Sequence, residues 1–380
     1  MKKIISLILL TSLVLCFFPA QSFAFDENEI TCSASVLMEA STGKVLFKKN
    51  MDQKVAIASI TKLMVLLIAM EEIKAGNLSL DTIITGTQEA KNIGGSTMFL
   101  DVGEQFPLET IIKGMCIASA NDGTVALAQH IAGSTEVFVS RMNKRAKELG
   151  MKNTNFKNVV GFDDFEHYSS AYDVAVLCRE ILDKHPELLT YAQIKEEWIR
   201  DGKTQLLNTN RLLGRYEYAT GLKTGTETSA KYCLAATAEK DGTKLIAIVL
   251  GAPDNEARVK QAEILLKYGY NAFTLHTAAP CDEQFGSVKV KKGKIDEVFA
   301  VPSYDVKVMI PQGDENTVKT EVVLSESIEA PVAKGTEIGQ ITVRVDGEIA
   351  ATAPLVAGQD IEKVSFFGAI LKLIRAMFAF

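Results

Sequence analysis

The sequence is short of several groups on which common chemistries depend. Its only histidines are His130, His167, His185 and His276, and none sits in a familiar catalytic setting. No G-x-S-x-G elbow occurs, so nothing local supports a histidine-activated serine. The cysteines are scattered without CxxC spacing, which points to neither a zinc site nor a disulfide framework. Cys32, Cys116, Cys178, Cys233 and Cys281 would remain after loss of a leader, and most of them are expected to be small buried hydrophobes. Positive charge is not in excess: 41 Lys and Arg face 47 Asp and Glu, for a net charge of −6. Loss of Lys2 and Lys3 with a leader would take it to −6 − 2 = −8. A nucleic-acid partner would want a basic face, so none is indicated. Internal repeats and low-complexity segments are absent, and no pattern calls for a cofactor or a metal.

What is present begins with two informative ends. At 380 residues the chain is too long for one ordinary core, so two domains are expected. Lys2 and Lys3 precede an apolar run from Ile4 to Phe18, then Pro19 and the small-residue pattern Ser22-Phe23-Ala24. This predicts a signal peptide over 1–24 and an exported protein. Leu15 before Cys16 is too bulky for a lipoprotein site. At the far end, residues 364–380 wound as a helix place Ser365, Gly368, Lys372, Arg375 and Ala379 on one stripe, with Phe366, Phe367, Ile370, Leu371 and Ile374 among the apolar remainder. Such a helix would be about 25 Å long. That is short of the roughly 30 Å hydrocarbon core, so it is expected to lie in the membrane interface with its cations among anionic headgroups.

Between the ends, "ASVLMEASTGKVLFKKN" reads as a hairpin around Ser41-Thr42-Gly43. Helices are expected over Ser59–Lys74, Pro107–Cys116, Asp122–Ala132 and Thr135–Leu149, with another opened by Ser170 and Asp173. Strands follow in "YATGLKTGT", "KYCLAATAEK" and "KLIAIVLGA", then a helix over about Asn255–Phe273. Strands at both ends with helices between predict one sheet closed by the two ends of the domain, with helices on its faces. Beyond Thr277 the texture is two-residue alternation punctuated by Gly and Pro, a small all-β module read as a spacer. The expected organisation is a leader over 1–24, a catalytic domain over 25–276, an all-β domain over 277–360 and an amphipathic anchoring helix over 361–380.

Chemistry is suggested by "VAIASITKLMVLLIAM", where Ser59 and Lys62 stand one turn apart at the mouth of an apolar helix. Serine needs a base, and lysine can serve if burial or a neighbouring cation lowers its pKa. At i and i+3 the two side chains share a helical face. The backbone N–H of Ser59, near a helix N-terminus, could serve an oxyanion. The pair alone is weak, since Ser41 and Lys44 repeat the spacing across a turn. "CIASANDGTVALAQHI" adds Ser119 and Asn121 before another helix, where Asn121 or Asp122 would also make an ordinary N-cap. "ATGLKTGTETSAKY" adds Lys223, Thr224, Gly225 and Thr226 on a strand, with glycine allowing close approach to the backbone.

Together, Ser59-x-x-Lys62, Ser119-x-Asn121 and Lys223-Thr224-Gly225 resemble the signature of the low-molecular-weight penicillin-binding proteins, the serine D-alanyl-D-alanine carboxypeptidases. The phrases "SITKLM", "GGSTMFLDVGEQF", "IASANDGTVALA", "MNKRAKELGMKNTNFKNVVGFD", "HYSSAYDVAVL" and "NTNRLLGRYEYATGLKTGTE" carry the likeness across 33–273, and the β module and tail match the family layout. The resemblance implies an α/β (α+β) fold: a β-lactamase/DD-peptidase-like domain with an antiparallel sheet flanked by helices and a helical insert, plus a small all-β C-terminal domain. It implies that Ser59 forms an acyl-enzyme with a peptidoglycan stem peptide ending in D-Ala-D-Ala, with Lys62 as base and Ser119 as proton relay. Asn121 would orient the substrate, Lys223 would support it electrostatically, and the N–H groups of Ser59 and Thr226 would form an oxyanion hole. Thr224 and Arg258 would meet the terminal carboxylate. β-Lactam antibiotics would bind, and the enzyme would act in peptidoglycan biosynthesis and cell shape at the outer face of the bacterial membrane. Ala120 stands where glycine is frequent, and Thr226 where some members carry histidine. The rival readings are a β-lactamase, disfavoured because Glu187-Leu188-Leu189-Thr190 does not supply the E-x-x-L-N carboxylate, and a catalytically silent protein that binds wall peptides.

Overall fold

The computed structural model describes residues 25–370; the leader of residues 1–24 and the end of the tail, residues 371–380, lie outside the described residues. The N-terminal hairpin forms as the pattern predicts. Strand β1 (Ala34–Glu39) pairs antiparallel with β2 (Val45–Lys49), and the Glu39 carboxylate accepts N–H and O–H bonds from Ser41 and Thr42 to close the turn. The strand-rich stretch after Tyr218 gives β3 (Ala219–Glu227), β4 (Lys231–Lys240) and β5 (Thr243–Ala252). Asp241 and Gly242, with φ of +49° and +76°, make the tight turn between β4 and β5, a conformation that Asp-Gly pairs adopt readily.

β1 pairs with β5, Val36 opposite Ile248, so the sheet runs β2-β1-β5-β4-β3 with every neighbour antiparallel. The two ends of the region therefore close one sheet. Both faces are covered. Along β5, Ile246, Ile248 and Leu250 enter one core while Leu245, Ala247 and Val249 enter another, as a two-residue period requires.

The first face is covered by a helical block containing α1 (Lys62–Lys74), α2 (Leu108–Ile117), α3 (Asn121–Ala132), α4 (Thr135–Glu148) and α5 (Ala171–Lys184). α6 (Asn255–Ala272) covers the other. In α1 every residue from Leu63 to Met70 is buried, the expected place for a helix that is apolar all round. Each such Leu, Ile or Met side chain contributes about 1.5–3 kcal/mol by leaving water. Ser170 caps α5 by accepting the Asp173 N–H. The expected side-chain cap on α3 is corrected: Ala120 occupies the N-cap and makes no side-chain bond. The buried Asp122 carboxylate instead accepts N–H bonds from Met98 and Leu100, because that extended loop offers several donors where its own helix offers one, Gly123.

Residues 273–364 are all-β apart from a short 3-10 turn, Glu315–Thr317, and a helix begins at Phe366. Strand Phe273–Ala279 pairs with Val306–Pro311, and a six-stranded sheet carries Val298, Ile341, Val343 and Leu355 into a core of its own. Met309 from this unit is buried in the core under α6, which ties the two units together. Ile361 is buried in the β core and the Val364 N–H donates to Lys292 O, so the unit extends to Val364. Among the described residues no helix is long and apolar enough to cross a membrane.

Candidate active site

Ser59 lies in a 3-10 turn, Ala58–Thr61, that runs directly into α1, whose first residue is Lys62. Lys62 Nζ is 2.7 Å from Ser59 Oγ and 3.1 Å from Val160 O, and Lys62 is fully buried. Burial, and then the Lys223 ammonium nearby, hold its pKa well below that of an ordinary lysine against the opposing pull of Glu227 and Asp122. A neutral amine at this distance can take the hydroxyl proton.

Lys223 arrives from β3. It stands opposite Ala235, and Gly225 opposite Cys233, and both partners belong to the helix-side core, so Lys223 points toward α1. It is buried and donates to Thr224 O at 2.9 Å. Burial lowers its pKa to about 7, with Cys116 opposing and the Arg258 charge adding to the effect.

The nucleophile turn is pressed between two glycines. A Cβ on Gly225 would lie 2.7 Å from Ile57 O and 3.0 Å from Ser59 N, and one on Gly161 would lie 1.9 Å from Ala58 O. Nothing larger than glycine lets β3 run alongside Ser59, or the 158–163 loop pass behind Ala58. Asn158 shapes that loop by accepting the N–H groups of Val160, Gly161 and Phe162, which brings Val160 O to Lys62. Asp163 then bonds the Ser229 N–H and hydroxyl, joining the loop to the end of β3.

Ser119 joins α2 to α3 with φ +61°, a left-handed conformation that costs a non-glycine residue of order 1 kcal/mol or more and clusters at functional sites. Cys116, in the last turn of α2, feels the Lys223 charge, which places this segment beside β3. Asn121 donates from Nδ2 to Gly94 O at 2.8 Å, while its buried Oδ1 has no protein partner among the described residues. Alternation puts Thr224 and Thr226 on the other side of β3. Thr224 Oγ1 is 2.6 Å from Thr209 Oγ1, and the buried Arg258 donates from Nη1 to Gly225 O at 3.1 Å and Thr226 Oγ1 at 3.0 Å. Its guanidinium also stacks over the Tyr232 ring at 5.6 Å.

All three motifs therefore meet at one place: Ser59, Lys62, Lys223 and Gly225 converge directly, Ser119 and Asn121 enter from the helical side, and Arg258 backs β3. Sequence reasoning missed Asn158, Val160 and Gly161, whose part is played largely by the backbone. It also found no setting for His167, which lies behind the turn. A cleft of about 660 Å³ lined by Lys54, Val55, Ala56, Asp163, His167 and Ser229 opens beside it. Among the described residues no cluster suited to a metal ion occurs.

A family model described as D-alanyl-D-alanine carboxypeptidase matches residues 21–254, and one described as penicillin-binding protein 5, C-terminal domain, matches 273–363. The chain is 38% identical to the D-alanyl-D-alanine carboxypeptidase DacF of Bacillus subtilis over 376 residues, covering 96% of each. It is 33% identical to DacC of Escherichia coli, covering 97% of this chain and 94% of that one. Among solved structures, penicillin binding protein 5 from Haemophilus influenzae superposes with a TM-score of 0.78 at 32% identity, covering 88% of this chain and 98% of that one. The lysine-paired serine and the sheet that carries its partners thus sit in a chain that belongs to the D-alanyl-D-alanine carboxypeptidases of the penicillin-binding-protein type, which are serine hydrolases.

Proposed function

We propose that Ser59 is the nucleophile that removes the terminal D-alanine from peptidoglycan stem peptides. The observation that carries this reading is the 2.7 Å contact between Ser59 Oγ and a buried Lys62 whose charge is suppressed by burial and by Lys223. Neutral Lys62 takes the hydroxyl proton as Ser59 Oγ attacks the carbonyl between the two D-alanines. The oxyanion forms against the N–H groups of Ser59 and Thr226. Removing one such donor typically costs roughly 3–4 kcal/mol of transition-state stabilisation. Ser119 passes the proton from Lys62 to the departing amine, and D-alanine leaves. Water then attacks the ester, returning the proton to Ser59 and releasing the shortened peptide. Asn121, whose buried amide oxygen has no partner among the described residues, orients the substrate amide. Lys223, Thr224 and Arg258 draw the terminal carboxylate to the end of β3.

The same serine would open the ring of a β-lactam and hold it as an ester. Two structures of penicillin-binding protein D2 from Listeria monocytogenes, similar to this chain, are in cefotaxime- and ampicillin-bound forms. The reading extends to place: the protein acts outside the cytoplasm, the β unit is a spacer, and the tail rests on the membrane surface. The exposure of Phe366 and Phe367 at the start of the tail supports that last point.

The test is mass spectrometry of the mature chain with benzylpenicillin, alongside release of D-alanine from a pentapeptide ending in D-Ala-D-Ala. The expected result is a long-lived adduct on Ser59 and D-alanine release that Ser59→Ala abolishes. Release unchanged in Ser59→Ala would end the assignment. Rapid turnover of the drug would mark a β-lactamase instead.

A further inference from the structure

A continuous chain of hydrogen bonds runs into the back of the nucleophile turn from a residue 108 positions beyond it (167 − 59). The Lys157 N–H donates to His167 Nδ1 at 3.1 Å. An amide N–H can only donate, so Nδ1 is the acceptor and the ring proton sits on Nε2. Nε2 is 2.7 Å from Thr61 Oγ1, which therefore accepts it, and Thr61 Oγ1 in turn donates to Ala58 O at 2.8 Å. Every donor has one acceptor and every link has good length. Thr61 is fully buried and His167, at the edge of the cleft, is only 3% exposed, so both groups are largely shielded from bulk water.

The last acceptor is the important one. Ala58 O and the Ser59 N–H belong to the same planar peptide unit and point in opposite directions. Whatever fixes the carbonyl therefore aims the N–H. That unit needs fixing, because Ala58 is held at φ +48°, a left-handed conformation uncommon for alanine. Gly161 and Gly225 bound the turn sterically, but a steric wall sets position more than rotation. The brace supplies the rotation.

We infer that His167, acting through Thr61, is a positioning residue that aims the Ser59 backbone N–H at the developing oxyanion. The inference rests on the reading of Ser59 as nucleophile and oxyanion donor. The ring must be neutral for the chain to run, since a doubly protonated ring would set a second donor against the Lys157 N–H. Burial lowers the His167 pKa to about 4, against the pull of Asp164 and Asp163, so neutrality holds at neutral pH. The histidine is not a base in the reaction: both its nitrogens are occupied and it faces the rear of the turn.

The experiment measures acylation of the mature chain by a fluorescent penicillin under stopped flow, separating the pre-covalent binding constant from the acylation rate constant. Thr61→Val removes the hydroxyl at constant shape, and His167→Asn keeps an acceptor near Lys157 but cannot reach Thr61. Each is expected to lower the acylation rate constant roughly 10- to 100-fold, as a misaimed donor should, with binding unchanged. Thr61→Ser and His167→Gln, which restore a donor to the next link, recover most of the loss. The double variant Thr61→Val/His167→Asn falls no further than the worse single, because both cut one chain. An unchanged acylation rate constant in Thr61→Val, losses that multiply in the double, or equal loss in binding would overturn the inference. Should His167→Asn fail to fold, the Thr61→Val and Thr61→Ser pair decides alone. Wild-type labelling at Ser59 is the control: its absence would instead sink the reading of Ser59 as nucleophile.

Discussion

In water a lysine holds its proton until about pH 10.4, and a serine hydroxyl beside it stays inert. Two buried lysines share this site, and their charges cannot both persist in a space with so little water. Lys62 lies against Ser59 and is held well below the range of an ordinary lysine; Lys223, in the middle of β3, is lowered to about 7. The proposed mechanism needs Lys62 neutral and Lys223 charged. The rate should therefore rise with pH as Lys62 deprotonates and fall as Lys223 does, with the alkaline limb near pH 7 in the free enzyme. Lys223→Arg keeps its charge at any usable pH, so its profile of kcat/KM should lack that limb. A limb unchanged in Lys223→Arg would assign the descent to another group.

Elements bring these side chains together through close backbone approach rather than through side-chain packing. β3 passes so near the Ser59 turn that its glycine is obligatory: Gly225→Ala would put a methyl 2.7 Å from Ile57 O and 3.0 Å from Ser59 N. Either β3 or the turn must move, and displacement of about 1 Å at a reacting centre costs on the order of 100-fold. Gly225→Ala should thus fold, since β3 is an edge strand, yet acylate on the order of 100-fold more slowly. Wild-type acylation by this variant would show that the strand does not form part of the site. The same scale explains which elements were legible. α1 and the central strands were legible as apolar runs of helix and strand length, and α1 begins at Lys62, after the 3-10 turn Ala58–Thr61. The cap of α3 was not, because Asp122 satisfies amides 22 and 24 positions away instead of its own helix end.

At the scale of the molecule, two units share a join. Met309 of the β unit fills the core beneath α6, so the catalytic unit is not closed without it. Beyond Val364 the chain leaves that core with Phe366 and Phe367 exposed. An exposed aromatic pair ahead of a cationic, apolar tail fits an interfacial anchor. Truncation after Val364 should therefore release the protein from anionic membranes while leaving penicillin acylation intact, as read by sedimentation with vesicles. Vesicle binding unaffected by the truncation would place any membrane attachment elsewhere.

By itself the sequence determined the periodicities, and through them the helices, the strands and the single sheet closed by both ends of the catalytic region. It also carried Ser59-x-x-Lys62, Ser119-x-Asn121 and Lys223-Thr224-Gly225 as local strings. Tertiary structure alone decided that Lys62 is desolvated beside Lys223, that Arg258 is buried behind β3, and that Val160, Gly161 and His167 close on the nucleophile turn. The reason is physical. Periodicity is a property of neighbours along the chain, whereas a pKa, a backbone clash and a relayed hydrogen bond depend on which distant atoms exclude water from a site.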